Sequence, residues 1–172
     1  MNTVLITCYE CNESSKTDQR YVGHVIKKFY NKPHGIYPVY LKSKYNYASK
    51  SVENDIAKIV KRVRSWDLAS KIVIIYFIDT DSRMNNQSRE NEVHNTLIKD
   101  YCENNKYELV TFVRNIEQVL LAPFNKDKVQ ASKNYREQDL NKVPISNLSV
   151  IEPREKGQSN ILRILDRYLI RN

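Results

Sequence analysis

The stretch that decides the fold is Lys71–Asp81, KIVIIYFIDTD. Seven consecutive apolar residues, Ile72 to Ile78, stop at Asp79-Thr80-Asp81. A run this short, rich in β-branched and aromatic side chains, predicts a strand buried on both faces. Open α/β sheets bind their ligands outside the carboxyl ends of the strands. Two carboxylates one residue apart at such an end can converge on a hard divalent cation. An acidic turn that merely closes the loop after a strand has the same local pattern, so the motif needs partners from elsewhere in the chain.

Upstream, Val4–Tyr9 predicts a first strand, followed by a polar segment, residues 10–18. Tyr21, Val22, Val25, Ile26, Phe29 and Tyr30 then recur at helical spacing, with Thr17 or Asp18 as N-cap and Lys32-Pro33-His34-Gly35 as the stop. Ile36–Leu41 predicts a second strand, which Pro38 places near an edge. Ser51 is placed to cap a helix with Val52, Ile56, Ile59, Val60, Val63 and Trp66 as its stripe. Its acids lie early (Glu53, Asp55) and its bases late (Lys61, Arg62, Arg64), as the helix macrodipole favours.

Downstream of the decisive strand, a polar loop leads into a helix over about residues 90–104, with Val93, Leu97, Ile98, Tyr101 and Cys102 on one face. Tyr107–Val113 predicts another strand, and Ile116–Phe124 a short apolar helix that carries Glu117. A polar, basic segment occupies residues 125–143. Ile145–Ile151 then predicts a last strand, and Ser159 caps a C-terminal helix with Ile161, Leu162, Leu165, Tyr168 and Leu169 facing in.

Strands alternating with helices imply a Rossmann-like α/β fold: a mostly parallel sheet of four to five strands with helices on both faces. The carboxyl ends of the strands then share one edge. Glu10 or Glu13 after the first strand, Asp79 and Asp81 after the central one, and Glu117 after the next can converge there, although they are far apart in the chain.

The chain of 172 residues is long enough for one domain with a real core. Its formal net charge of +8 implies an anionic partner, nucleic acid foremost. Tyr37, Tyr40, Tyr45 and Tyr47 interleave with Lys42, Lys44 and Lys50, a pattern that suits stacking on bases and tracking phosphates as well as ordinary half-buried tyrosines. Three cysteines and no apparent secretory leader predict reduced thiols in a cytoplasmic protein. No window approaches the roughly 18 apolar residues of a membrane span, so no membrane partner is expected. Cys8-Tyr9-Glu10-Cys11 is a lone C-x-x-C within a predicted strand, which argues against a zinc or redox reading. With 3 glycines the chain has no phosphate-cradling loop and no Walker or dinucleotide motif.

Glu13-Ser14-Ser15-Lys16-Thr17-Asp18-Gln19-Arg20-Tyr21, the strand ending in Asp79-Thr80-Asp81, and Asn115-Ile116-Glu117-Gln118-Val119-Leu120-Leu121 together resemble the Toprim fold. The likeness is to RloB-like proteins of bacterial phage defence and to OLD-family nucleases, and it spans roughly residues 4–124. In those families the first loop typically reads Glu-Gly-x-x-Thr-Glu, then two residues and a Tyr. Here Asp18 replaces the second glutamate and Ser14 the glycine. The resemblance implies a single Toprim-like domain over 1–172, with its core at about 3–124 and a basic segment and C-terminal strand-helix at 125–172. It further implies a metal-dependent nuclease of bacterial anti-phage defence that cleaves DNA or RNA, tRNA included. A separate ATPase partner chain and a homodimer belong to the same expectation.

The chemistry also follows from residue types. Cleaving a phosphodiester requires a cation against the charge developing on the phosphate and a group that handles a proton. Mg2+ (or Mn2+) takes oxygen ligands and keeps several waters. Glu13, Asp79 and Asp81 are the expected catalytic and metal-holding acids, with Glu117 as a further metal acid and Glu10 as the substitute for Glu13. Lys16, Arg20, Lys42, Lys44 and Arg83 are the expected nucleic-acid contacts. The same acids without turnover would make a nucleic-acid- or partner-binding subunit.

Overall fold

A computed structural model of the chain describes residues 2–81, 87–121 and 135–172. The decisive stretch is a strand, Lys71–Asp79, the third of four. With β1 (Thr3–Tyr9), β2 (Gly35–Tyr40) and β4 (Glu108–Phe112), this β3 forms an all-parallel sheet in the order β2-β1-β3-β4. The two central strands, β1 and β3, carry the continuous apolar runs because both of their faces are covered.

The pleat of these strands divides the core in two. Leu5 and Tyr9 of β1, Val73, Ile75 and Phe77 of β3, and Val110 and Phe112 of β4 face one way. They meet Tyr21, Val22, Val25 and Ile26 of α1 (Thr17–Phe29). Ile6 and Cys8, and Tyr76 and Ile78, face the other way, against α2 (Lys50–Trp66) and α3 (Gln87–Asn105) through Val52, Ile56, Ile98 and Cys102. One crossover helix on one face and two on the other is what right-handed crossovers produce when the chain moves from β1 to β2 and then back across to β3 and β4.

Several boundaries differ from the sequence expectation. The side chain of Ser49, not Ser51, caps α2, accepting from the Val52 N–H. Lys16, in a left-handed conformation, precedes α1, so Thr17 and Asp18 lie inside the helix. The apolar helix after β4 is α4, Ile116–Leu120, with Leu121 as its C-cap; residues 122–124 of its expected span, and most of the basic segment, lie outside the described residues.

The expected fifth strand is absent: Ile145–Leu148 is a helical turn, α5, preceded by a 3₁₀ segment, Glu137–Lys142. Pro144, with φ of −60°, presets the turn, and only Leu148 of the expected run is fully buried. A short C-terminal helix, α6 (Ile161–Leu165), follows.

The segment before α6 covers the outer edge of β4. The Val113 N–H donates to the Gln158 carbonyl, and the Asn160 side chain accepts from the Thr111 N–H at 2.9 Å while donating to the Leu109 carbonyl at 3.0 Å. An amide side chain thus does the work of a neighbouring strand. On the opposite edge, the Leu41 N–H points inward to the Tyr9 carbonyl, so by the alternation of the strand position 38 points outward. Proline stands there and offers no donor.

Candidate functional site

In the order β2-β1-β3-β4 the connections reverse direction between β1 and β3. At such a switch point the loops diverge and leave a crevice above the strand ends. Tyr9 pairs with Phe77, so the residue immediately after β1, Glu10, stands beside the exit of β3. There the Asp79 N–H donates to Glu10 Oε1 at 2.6 Å. The acid that faces Asp79 is therefore Glu10.

Glu13, the preferred partner on motif grounds, lies in an exposed turn and acts electrostatically on the Tyr40 hydroxyl. That turn is organised by Asn12, whose Oδ1 accepts from the Ser14 hydroxyl at 2.6 Å and the Ser15 N–H at 2.9 Å. Lys16 takes the left-handed conformation, with φ of 48°, and Ser14 does not. The loop as folded therefore makes no conformational demand for glycine at position 14.

Asp79 is held on two sides. Its N–H is bound by Glu10, and its Oδ1 accepts from the Ile116 N–H at 2.9 Å, tying β3 to the start of α4. Among the described residues, Glu10 Oε2 and Asp79 Oδ2 have no hydrogen-bond partner. Thr80 and Asp81 continue the pairing beyond β4 through N–H bonds to the carbonyls of Phe112 and Arg114, and Thr80 Oγ1 accepts from the Arg114 N–H at 2.9 Å. Asp81 and Arg114 both adopt left-handed backbone, with φ of 49° and 71°. Strained non-glycine backbone of this kind persists where surrounding bonds impose it.

The acids repel one another. Burial pushes the Glu10 carboxyl from its ordinary 4.5 up to about 8; Asp81 and Asp18 add to the rise, and the Asp79 N–H and Lys44 oppose it. Burial also lifts Asp79 well above its ordinary value, reinforced by Glu10, Asp18, Glu117 and Asp81. Asp18, whose Oδ2 accepts from the Cys11 N–H at 3.0 Å, is pushed by burial up to about 6, with Glu117 adding to the rise. Glu10, Asp18, Asp79, Asp81 and Glu117 thus form one electrostatic group (desolvation and like charge acting together) at the sheet edge.

Asp81 itself turns toward Lys44. The ammonium is almost fully buried, 2.9 Å from Asp81 Oδ2 and 3.4 Å from the Asp79 carbonyl. Lys44 is thus part of the acidic centre rather than an outlying phosphate contact. Lys16, Arg20 and Lys42 are exposed; Arg83 lies outside the described residues. Cys8 and Cys102 are buried and Cys11 half-buried, and burial raises all three thiols.

Of these participants, Asp18 was assigned no site role from the sequence, and Lys44 was expected only as a nucleic-acid contact. Asp18 carried a signal, as the second acid of the first-loop motif. Lys44 reaches the centre only through the loop after β2, and no local pattern announces that.

The donor set suits a hard divalent cation: oxygen atoms only, crowded, and held protonated where a cation would discharge them. Among the described residues, no group of three or more His, Cys, Asp or Glu side chains is already gathered for a metal ion. Magnesium keeps most of its waters and is commonly held through one or two carboxylates, which Glu10 and Asp79 supply.

Comparisons of the chain with protein-family models, with curated proteins and with solved structures return no match. No helix of the described residues is long and apolar enough to cross a membrane.

Proposed function

We propose that the chain is a Toprim-type, Mg2+- or Mn2+-dependent nuclease acting on DNA or RNA, with a role in bacterial anti-phage defence in the cytoplasm. The observation that carries this reading is the contact between Glu10 and Asp79 at the switch point, inside a group of five mutually repelling carboxyls. Glu10 and Asp79 would hold the cation. When bound, it would neutralise charge developing on the scissile phosphate.

The protein's own groups account for the rest. Asp18, whose carboxyl burial raises to about 6, would take the proton from the attacking water, and the leaving oxygen would be protonated from solvent. Lys44 keeps Asp81 turned aside and supplies a fixed positive charge beside the phosphate position. Lys16, Arg20 and Lys42, exposed around the same loops, are suited to the flanking phosphates. An ATPase partner chain or a homodimer would add regulation to this centre and belongs to the same proposal.

A second reading rests on Lys44. Because its ammonium already neutralises Asp81, the centre can persist without a metal, and the chain would then be a non-catalytic nucleic-acid- or partner-binding subunit. Incubation with plasmid, single-stranded DNA and tRNA in Mg2+ or Mn2+, beside the Asp79→Ala variant, separates the two. The nuclease reading expects cleavage by the native chain and none by the variant. Equal cleavage by both removes Asp79 from the chemistry, and binding without cleavage in either metal favours the subunit.

A further inference from the structure

Beside the acidic centre lies an aromatic ring that is fixed in place yet left open. Tyr45 occupies the 3₁₀ turn Lys44–Asn46, directly after the buried lysine. Its N–H donates to the Ser43 hydroxyl, and its ring meets His94 of α3 edge-on, with centroids 4.5 Å apart. Its hydroxyl donates to Asn91 Oδ1 at 3.3 Å, and Asn91 Nδ2 donates in turn to the Asp81 carbonyl at 3.4 Å. A chain of hydrogen bonds therefore runs from the ring to the backbone of the acid that Lys44 holds. Despite these restraints Tyr45 is 53% exposed.

Exposed tyrosines are common, but most are free to rotate. Here rotamer freedom has already been removed, which lowers the cost of binding against the ring. Its neighbours extend the surface: on α3, Val93 and Leu97 lie next to and one turn from His94, and both are exposed. Lys42, also exposed, precedes the turn in a chain of net charge +8. Aromatic faces beside basic groups are how proteins hold unpaired bases while their phosphates track a charged groove. A base inside a duplex has no free face to offer.

The geometry points to Tyr45 as a stacking platform for an unpaired base, so that the centre takes single-stranded nucleic acid, with the adjacent phosphate directed toward Glu10, Asp79 and Lys44. This rests on the nuclease reading for its consequence, but not for its test.

Binding is measured by anisotropy of labelled strands in EDTA, where no cleavage is needed. The strands are oligo(dT), oligo(U), an abasic strand of equal length and a duplex, each longer than the roughly 4–16 nucleotides that a strand-binding groove covers. Tyr45→Ala is expected to weaken oligo(dT) and oligo(U) by roughly 5- to 150-fold, the range for loss of one stacked base, and to leave the abasic strand and the duplex nearly unchanged. Tyr45→Phe keeps the ring and is expected to stay within about threefold of the native chain, since it loses one exposed hydrogen bond. Unchanged binding of oligo(dT) and oligo(U) by Tyr45→Ala, or an equal loss on the abasic strand, overturns the platform. Loss on only one of the two base-bearing strands supports it and shows which strand type the platform takes. If Tyr45-dependent binding holds but no metal produces cleavage, the nuclease reading fails and the platform stands. If cleavage occurs with the same preference for single strands in Tyr45→Ala, the platform fails and the nuclease reading stands.

Discussion

Replacing Glu10 with glutamine tests the electrostatics of the centre without removing the acceptor that the Asp79 N–H uses. The Glu10 carboxyl titrates near 8 in the folded chain against an ordinary value of 4.5. Between those limits the unfolded chain gives up its proton while the folded chain keeps it. Stability is therefore complete below about pH 4.5, falls as pH rises toward 8, and levels off above. At about 1.36 kcal/mol per pH unit of difference, the full window corresponds to at most about 5 kcal/mol, and solvent relaxation reduces that to the order of 2–4 kcal/mol. Glutamine cannot ionise, so Glu10→Gln should match the native chain near pH 5 and become progressively more stable than it toward pH 8. The coupled Asp79 is relieved in the same direction. For a chain of this size, the difference corresponds to a midpoint shift of roughly 5–15 °C. Thermal unfolding in EDTA across pH 5–9 reads it directly, and Mg2+ added at pH 8 should recover much of the deficit of the native chain while leaving Glu10→Gln largely unmoved. A constant offset between the two proteins across that range would refute the account, because it would mean that Glu10 is ionised and comfortable where it lies.

Two further outcomes follow from single contacts. Lys44→Met keeps the buried stem but leaves Asp81 without its partner; because Asp81 is half exposed, the cost should be about 1–2 kcal/mol in urea unfolding, below that of breaking a fully buried pair, and Mg2+ should stabilise this variant more than the native chain. Asn160→Ala uncovers the Thr111 N–H and the Leu109 carbonyl together, so it should cost about 1–3 kcal/mol and make elution in size-exclusion chromatography depend on concentration, since an opened strand edge recruits other chains.

The sheet was legible because its central strands are covered on both faces, and β1 and β3 therefore read as unbroken apolar runs. Pro38 marked the edge for a local reason: proline has no donor to lose there. Ile145–Ile151 misled because β-branched residues at its ends resemble a strand, while Pro144, Ser146 and Asn147 favour a turn. The edge it was expected to cover is closed by one asparagine side chain, which no periodicity reveals. Asp79 was legible as the end of an apolar run. Choosing Glu13 over Glu10 followed the spacing of a motif, whereas pairing of Tyr9 with Phe77 places the residue immediately after β1 next to β3. Lys44 was read as a nucleic-acid contact because a loop of tyrosines and lysines does not say which of its members turns inward.

The protonated state of the centre has a consequence for encounter. Acids assembled in a crevice would ordinarily push a polyanion away. Here Glu10, near 8, keeps its proton at neutral pH, burial and the neighbouring acids push Asp79 toward its protonated form, and Asp81 is matched by Lys44. An approaching phosphate chain thus meets the field of a basic protein with little local opposition, and association should be fast at low salt and slow as salt screens it. The negative charge of the crevice emerges only when something positive arrives to displace the protons.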